Sequence, residues 1–147
     1  MAHGSPIAIL FLSTLASVPA AQEVGFAISG TSLGGKYGSA VDGGADINND
    51  GHFDYLIGAP QHSSTGNQRG RVVVLSGFDQ SSIYAINGDA DLDQFGTSVT
   101  FTGDLNADGT PDFAVGIPGA DSAGTNAGRV RVYSGATGGI LTTYDGA

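Results

Sequence analysis

Asp46-Ile47-Asn48-Asn49-Asp50-Gly51-His52-Phe53-Asp54 returns 58 residues later as Asp104-Leu105-Asn106-Ala107-Asp108-Gly109-Thr110-Pro111-Asp112. Both stretches read Asp-x-Asn-x-Asp-Gly-x-x-Asp. Oxygen side chains at the first, third and fifth positions, a glycine at the sixth for a sharp turn, a backbone carbonyl at the seventh and a carboxylate at the ninth make an oxygen set suited to Ca2+. The expected ligands are Asp46, Asn48, Asp50, His52 and Asp54 in one loop and Asp104, Asn106, Asp108, Thr110 and Asp112 in the other. His52 and Thr110 would bind through their carbonyls. The plainer alternative is a pair of polar turns closed by side-chain hydrogen bonds, but duplicated spacing favours the metal. An EF-hand would end on a glutamate at the twelfth position, where Ile57 and Val115 stand. Short runs of β-formers follow instead, Tyr55-Leu56-Ile57-Gly58 and Phe113-Ala114-Val115-Gly116, so each loop is expected to join two strands.

The interval of 58 residues holds across the flanking sequence without insertion. Tyr37-Gly38-Ser39-Ala40-Val41 matches Phe95-Gly96-Thr97-Ser98-Val99, and Gly58-Ala59-Pro60 matches Gly116-Ile117-Pro118. The run from Gly70 to Gly77 matches that from Gly128 to Gly135, and Tyr84-Ala85-Ile86-Asn87-Gly88 matches Thr142-Thr143-Tyr144-Asp145-Gly146. Four strands are predicted in the first unit, over 37–41, 55–59, 71–75 and 83–86, with equivalents in the second. Four antiparallel strands per unit suit a propeller blade, which buries its faces against neighbouring blades. The fold class is therefore all-β: two four-stranded blades, at about 37–88 and 95–146, preceded by an outer strand near 24–30. Because a propeller closes only after four to eight blades, two blades are incomplete. Copies of the chain or additional blades would have to cover the bare faces.

These pieces resemble the FG-GAP repeats of the integrin α-subunit β-propeller. The carriers are Tyr37-Gly38 or Phe95-Gly96, the calcium loop, and Gly58-Ala59-Pro60 or Gly116-Ile117-Pro118, in fixed order from about Val24 to Ala147. Tyr37 replaces phenylalanine, Ile117 replaces alanine, and asparagine stands at the third loop position in both copies. The resemblance implies that the loop joins the first and second strands of a blade, that the first strand is innermost, and that the ion stiffens this hairpin. It also implies that protein partners bind on the opposite face, here through 61–69, 89–94 and 119–127. The module would then mediate protein interaction or cell adhesion.

Composition narrows the rest. Twenty-five glycines between short apolar runs argue for many turns and few long helices. Fourteen acids against five bases give a formal charge of −9, which argues against nucleic acid or an anionic membrane as partner. Without cysteine there is no disulfide framework. Residues 1–21, with an apolar stretch from Ile7 to Val18 and small residues at Val18-Pro19-Ala20, read as a secretory signal peptide too short to span a membrane. A secreted or cell-surface location is expected, with residues 22–147 as the repeat module. No His-Glu-x-x-His motif and no cysteine occur and Glu23 is the single glutamate, so no catalysis is expected. The alternative is an accessory propeller region of a larger secreted enzyme, such as a hydrolase. A dockerin-like module fails on the missing twelfth-position acid. Asp89, Asp91 and Asp93 read as a solvated loop, Arg71, Arg129 and Arg131 as solvent-facing or paired with acids, and His62 as a lone loop residue.

Overall fold

The computed structural model describes residues 27–63, 66–122 and 124–147, and among these there is no helix. The expected signal peptide lies outside them. Eight strands form two antiparallel sheets in simple sequential order. The first holds β1 (Ala40–Ala45), β2 (Asp54–Ala59), β3 (Arg71–Leu75) and β4 (Ser82–Asn87). The second holds β5 (Ser98–Gly103), β6 (Asp112–Ile117), β7 (Arg129–Tyr133) and β8 (Ile140–Asp145). Register repeats as the sequence does: Ala40 faces Gly58 as Ser98 faces Gly116, and each first pair ends in an irregularity, before Ala45 and before Gly103. These are two propeller blades of the expected kind.

The innermost strands begin later than predicted. Tyr37-Gly38 and Phe95-Gly96 precede them as turns, in which Lys36 and Gln94 as well as Gly38 and Gly96 take positive φ, outside the extended region of regular strand. The outer strand expected near 24–30 is also revised: residues 27–30 carry no strand, and the remainder lies outside the described residues. Ile28 instead lines a shallow apolar recess with Val41, Tyr55 and Ile57 on the first sheet's outward face.

The core lies between the sheets. Alternation along each strand sends Leu56, Val72 and Val74 from the first sheet, and Phe113, Val115, Ile117 and Tyr133 from the second, into one buried cluster with Phe95. Phe113 stacks on Tyr133 at 5.3 Å and Phe95 meets Tyr133 edge-on at 6.0 Å. The Tyr84 hydroxyl crosses between sheets to donate to the Gly135 carbonyl at 2.8 Å. Each fully buried aliphatic side chain of this kind contributes about 1.5–3 kcal/mol. Near the inner strands there is no room for a side chain: a Cβ on Gly58 would stand 2.1 Å from the Gly96 carbonyl oxygen of the next blade. The aromatic-glycine turn of one blade and the Gly-Ala-Pro glycine of its neighbour are thus two halves of one contact.

Polar bonds reinforce this seam. Asp42 Oδ2 on β1 accepts from the Phe101 amide at 2.8 Å and from the Thr100 hydroxyl at 3.0 Å, both on β5. Arg131 on β7 pairs with Asp89 at 2.5 Å, and Arg69 pairs with Asp91 at 2.6 Å. Asp93 is buried and accepts from the Ala90 amide. Asp89 and Asp91 thus stay exposed, as a solvated loop requires, while pairing with arginines, and Asp93 alone of the three is buried.

Candidate metal centre

Each nine-residue loop connects the first and second strands of its blade, β1 to β2 and β5 to β6. In the first, Asp46 Oδ1 accepts from the Asp50 amide at 3.1 Å and Oδ2 from the Gly51 amide at 2.9 Å. Asn48 Oδ1 accepts from the same Asp50 amide at 3.1 Å, and its Nδ2 donates to Asp50 Oδ2 at 2.8 Å. Asp50 Oδ1 accepts from the His52 amide at 2.9 Å. The side chains at positions one, three and five therefore converge inside a single turn. Asn49 and Gly51 both take positive φ, at 57° and 86°, to close it. Glycine is suited to the second of these, and asparagine tolerates the first.

The second loop repeats the arrangement atom for atom. Asp104 accepts from the Asp108 and Gly109 amides at 3.1 and 2.8 Å, Asn106 from the Asp108 amide at 3.0 Å, and Asp108 from the Thr110 amide at 2.9 Å. The Asn106 amide, followed by the Thr110 N–H, holds the Asp108 carboxyl below the ordinary carboxylate range. For Asp50, burial pushes upward, but bonds from Asn48, the His52 N–H and Ser76 outweigh it and the net shift is downward. Both acids favour the ionised form that a cation needs.

Asp54 and Asp112, at the ninth position, are fully buried. Asp54 Oδ2 accepts from the Ile47 amide at 2.7 Å and Oδ1 from the Gly77 amide at 3.0 Å, and Asp112 does the same with Leu105 and Gly135 at 2.8 and 3.0 Å. Each ninth aspartate thus clamps its loop to the β3–β4 or β7–β8 hairpin. Two residues that were not singled out in the sequence join this clamp. Buried Ser76 donates to Asp50 Oδ2 at 3.0 Å and buried Ser134 to Asp108 Oδ2 at 3.4 Å. Their signal was available, since Ser76-Gly77 and Ser134-Gly135 occupy equivalent places in the repeat.

Among the described residues, no three His, Cys, Asp or Glu side chains already form a ligand group. The third loop position is an amide, and the ninth carboxylate is turned to backbone N–H groups. The donor chemistry nevertheless fits a hard cation: every side-chain atom offered at positions one, three, five and nine is oxygen. Among the described residues, no lysine or arginine pairs with any of these acids; the arginine pairs are with Asp89, Asp91 and Asp145. The His52 ring sits 3.3 Å from Asp50 Oδ1 and tilts against Phe78, outside the loop's oxygen set.

The family model described as FG-GAP repeat matches residues 37–75 and 95–133. Each match runs from the aromatic-glycine turn through the third strand. The chain is similar to integrin alpha-3 of Cricetulus griseus, 33% identical over 120 residues, which covers 78% of this chain and 11% of that protein. It is similar to integrin alpha-4 of Xenopus laevis, 35% identical over 124 residues, 81% of this chain and 12% of that protein. It is also similar to phosphatidylinositol-glycan-specific phospholipase D of Rattus norvegicus, 36% identical over 112 residues, 67% of this chain and 13% of that protein. The chain spans roughly a tenth of the length of these relatives.

Proposed function

Since the chain belongs to the FG-GAP repeat family, we propose that it is a secreted or cell-surface calcium-binding module, non-catalytic, that mediates protein interaction or adhesion. The observation that carries the calcium reading is the recurrence of one all-oxygen loop, bond for bond, at Asp46–Asp54 and Asp104–Asp112, with no cationic side chain neutralising it among the described residues. Asp46, Asn48, Asp50 and Asp54, with the His52 carbonyl, would hold one ion. Asp104, Asn106, Asp108 and Asp112, with the Thr110 carbonyl, would hold the other. The ion would relieve repulsion between the carboxylates of each turn.

Adhesion follows from the integrin α relatives and from a scaffold with loops to spare on the side opposite the metal. No described helix is long and apolar enough to cross a membrane. The second sheet's outward face is where a further blade or another copy would pack: Val130 is 43% exposed and Leu105 60%, whereas the matching Val72 and Ile47 are buried in the first blade.

Thermal melting with calcium and with chelator tests the metal. At free calcium ten times the dissociation constant the gain is about 1.4 kcal/mol per site, and extracellular calcium modules bind at about 0.1–1 mM. Melting midpoints that do not respond to millimolar calcium would refute this reading. The phospholipase D match favours a second reading, an accessory region of a larger secreted enzyme. A catalytic domain encoded in frame with these repeats would establish it.

A further inference from the structure

Charge is divided unevenly between the two ends of the strands. All five lysine and arginine side chains belong to the end away from the nine-residue loops: Lys36 just before the Tyr37-Gly38 turn, Arg69 in the β2–β3 connection, Arg71 and Arg129 at the starts of β3 and β7, and Arg131 drawn to Asp89 past the end of β4. The loop end carries Asp46, Asp50, Asp104 and Asp108, joined by exposed Asp79 in the β3–β4 turn. Among the described residues none of these pairs with a lysine or arginine. Ser81, through its hydroxyl and its N–H, holds the Asp79 carboxyl below the ordinary carboxylate range. Asp79 lies outside the proposed ligand set and keeps its charge whether or not the loops hold calcium. Large rings stand exposed at the same end. Phe53 is 70% exposed and Phe78 65%, the His52 ring tilts against Phe78 at 5.0 Å, and the Phe53 carbonyl lies against Gly77, next to Phe78. In the second blade Thr110, Pro111, Ala136 and Thr137 occupy the places of His52, Phe53, Phe78 and Asp79, so the turns close without rings or a carboxylate there. Ala136 and Thr137 stay exposed although the first blade packs against their sheet, and a blade packed against the first sheet would leave Phe78 and Asp79 open in the same way. Phenylalanine faces attract cations, and unneutralised carboxylates beside them add charge complementarity.

We propose that this surface, at the loop end of the first blade, docks an arginine-rich segment of a partner polypeptide. One guanidinium lies over the Phe78 ring and pairs with Asp79, since its planar fork suits both an aromatic face and a carboxylate. Phe53 covers the stem of a second basic side chain, and the acids of the loop end draw the segment in. The full chain, labelled with 15N and held in calcium, is titrated with acetyl-Arg-Gly-Arg-Gly-Arg-amide and with acetyl-Glu-Gly-Glu-Gly-Glu-amide at equal ionic strength, following backbone amide signals. The arginine peptide moves the signals of His52, Phe53, Phe78 and Asp79 saturably, those of Thr110, Ala136 and Thr137 stay, and the glutamate peptide moves none of them. Phe78→Ala and Asp79→Thr, which copy the second blade, each weaken the arginine peptide about threefold. Equal movement in both blades means attraction to the acidic loops alone and overturns the proposal, as does a response without saturation or an equal response to the glutamate peptide. Cosedimentation with phosphatidylcholine vesicles in the absence of saturable peptide binding assigns the rings to a lipid surface and likewise overturns it. The wild-type titration decides even if a variant fails to fold.

Discussion

Asp54 and Asp112 have no exposed surface, yet they close loops whose other acids reach solvent. Two backbone amides hold each of them, one from within the loop and one from the neighbouring hairpin. Ser76 and Ser134 complete the link by donating to the fifth-position acids. Removing such a hydroxyl loses about 0.5–1.5 kcal/mol. Ser76→Ala is therefore expected to weaken calcium at the first loop roughly threefold to tenfold and to leave the second unchanged, as measured by titration of each site. Ser134→Ala should act on the second loop, and more mildly, because its bond is longer, 3.4 against 3.0 Å. The ten ligand positions proposed here could be read from sequence because their spacing is local and duplicated. The serines were harder to see because a small hydroxyl at the end of an apolar strand acquires its meaning only from a partner 26 residues away.

Strand existence, order and pairing were legible as well, since short β-rich runs separated by turn residues recur at a fixed interval. The start of the inner strands was not: Tyr37 and Phe95 look like strand residues, but the glycine after each takes positive φ and donates its amide to the Gly58 or Gly116 carbonyl of its own blade, closing a turn. The neighbouring blade makes Gly58 intolerant. Gly58→Ala would drive a methyl group into the Gly96 carbonyl, 2.1 Å away, and is expected to cost about 1–3 kcal/mol. Gly38→Ala meets nothing within 4 Å and carries only the strain of its φ of 85°, about 1 kcal/mol. Denaturant unfolding of the two variants should rank them in that order. The Asp42 link between inner strands adds a pH dependence. The Phe101 amide bond, above all, holds Asp42 below the ordinary carboxylate range. Its contribution, roughly 1 kcal/mol, is complete above the unfolded carboxyl pKa of about 4 and disappears as pH falls through the lower folded value. The stability difference between wild type and Asp42→Ala should be constant near neutrality and shrink in acid. A difference that grew in acid would exclude this role. Asp93 and His62 were misjudged in sequence because both lie in loops yet are buried, His62 beside Arg71 on another element.

Across the molecule the two sheets act as one body, because the aromatic cluster around Phe113 and Tyr133 belongs to both. Each hairpin that carries a proposed calcium loop is tied down through its ninth aspartate, and buried Ile47 in the first and Phe113 in the second join this shared core. Filling a loop should therefore stabilise the whole unit and not just one turn. The repeat further requires that the two loops behave as equivalents, since they share composition and hydrogen-bond pattern. Isothermal calorimetric titration of the full chain with calcium tests this most directly. The expected result is two ions per chain in wild type and one in either Asp50→Ala or Asp108→Ala. A titration without saturable binding, or a stoichiometry unchanged by both substitutions, would contradict the assignment of the two loops as calcium sites.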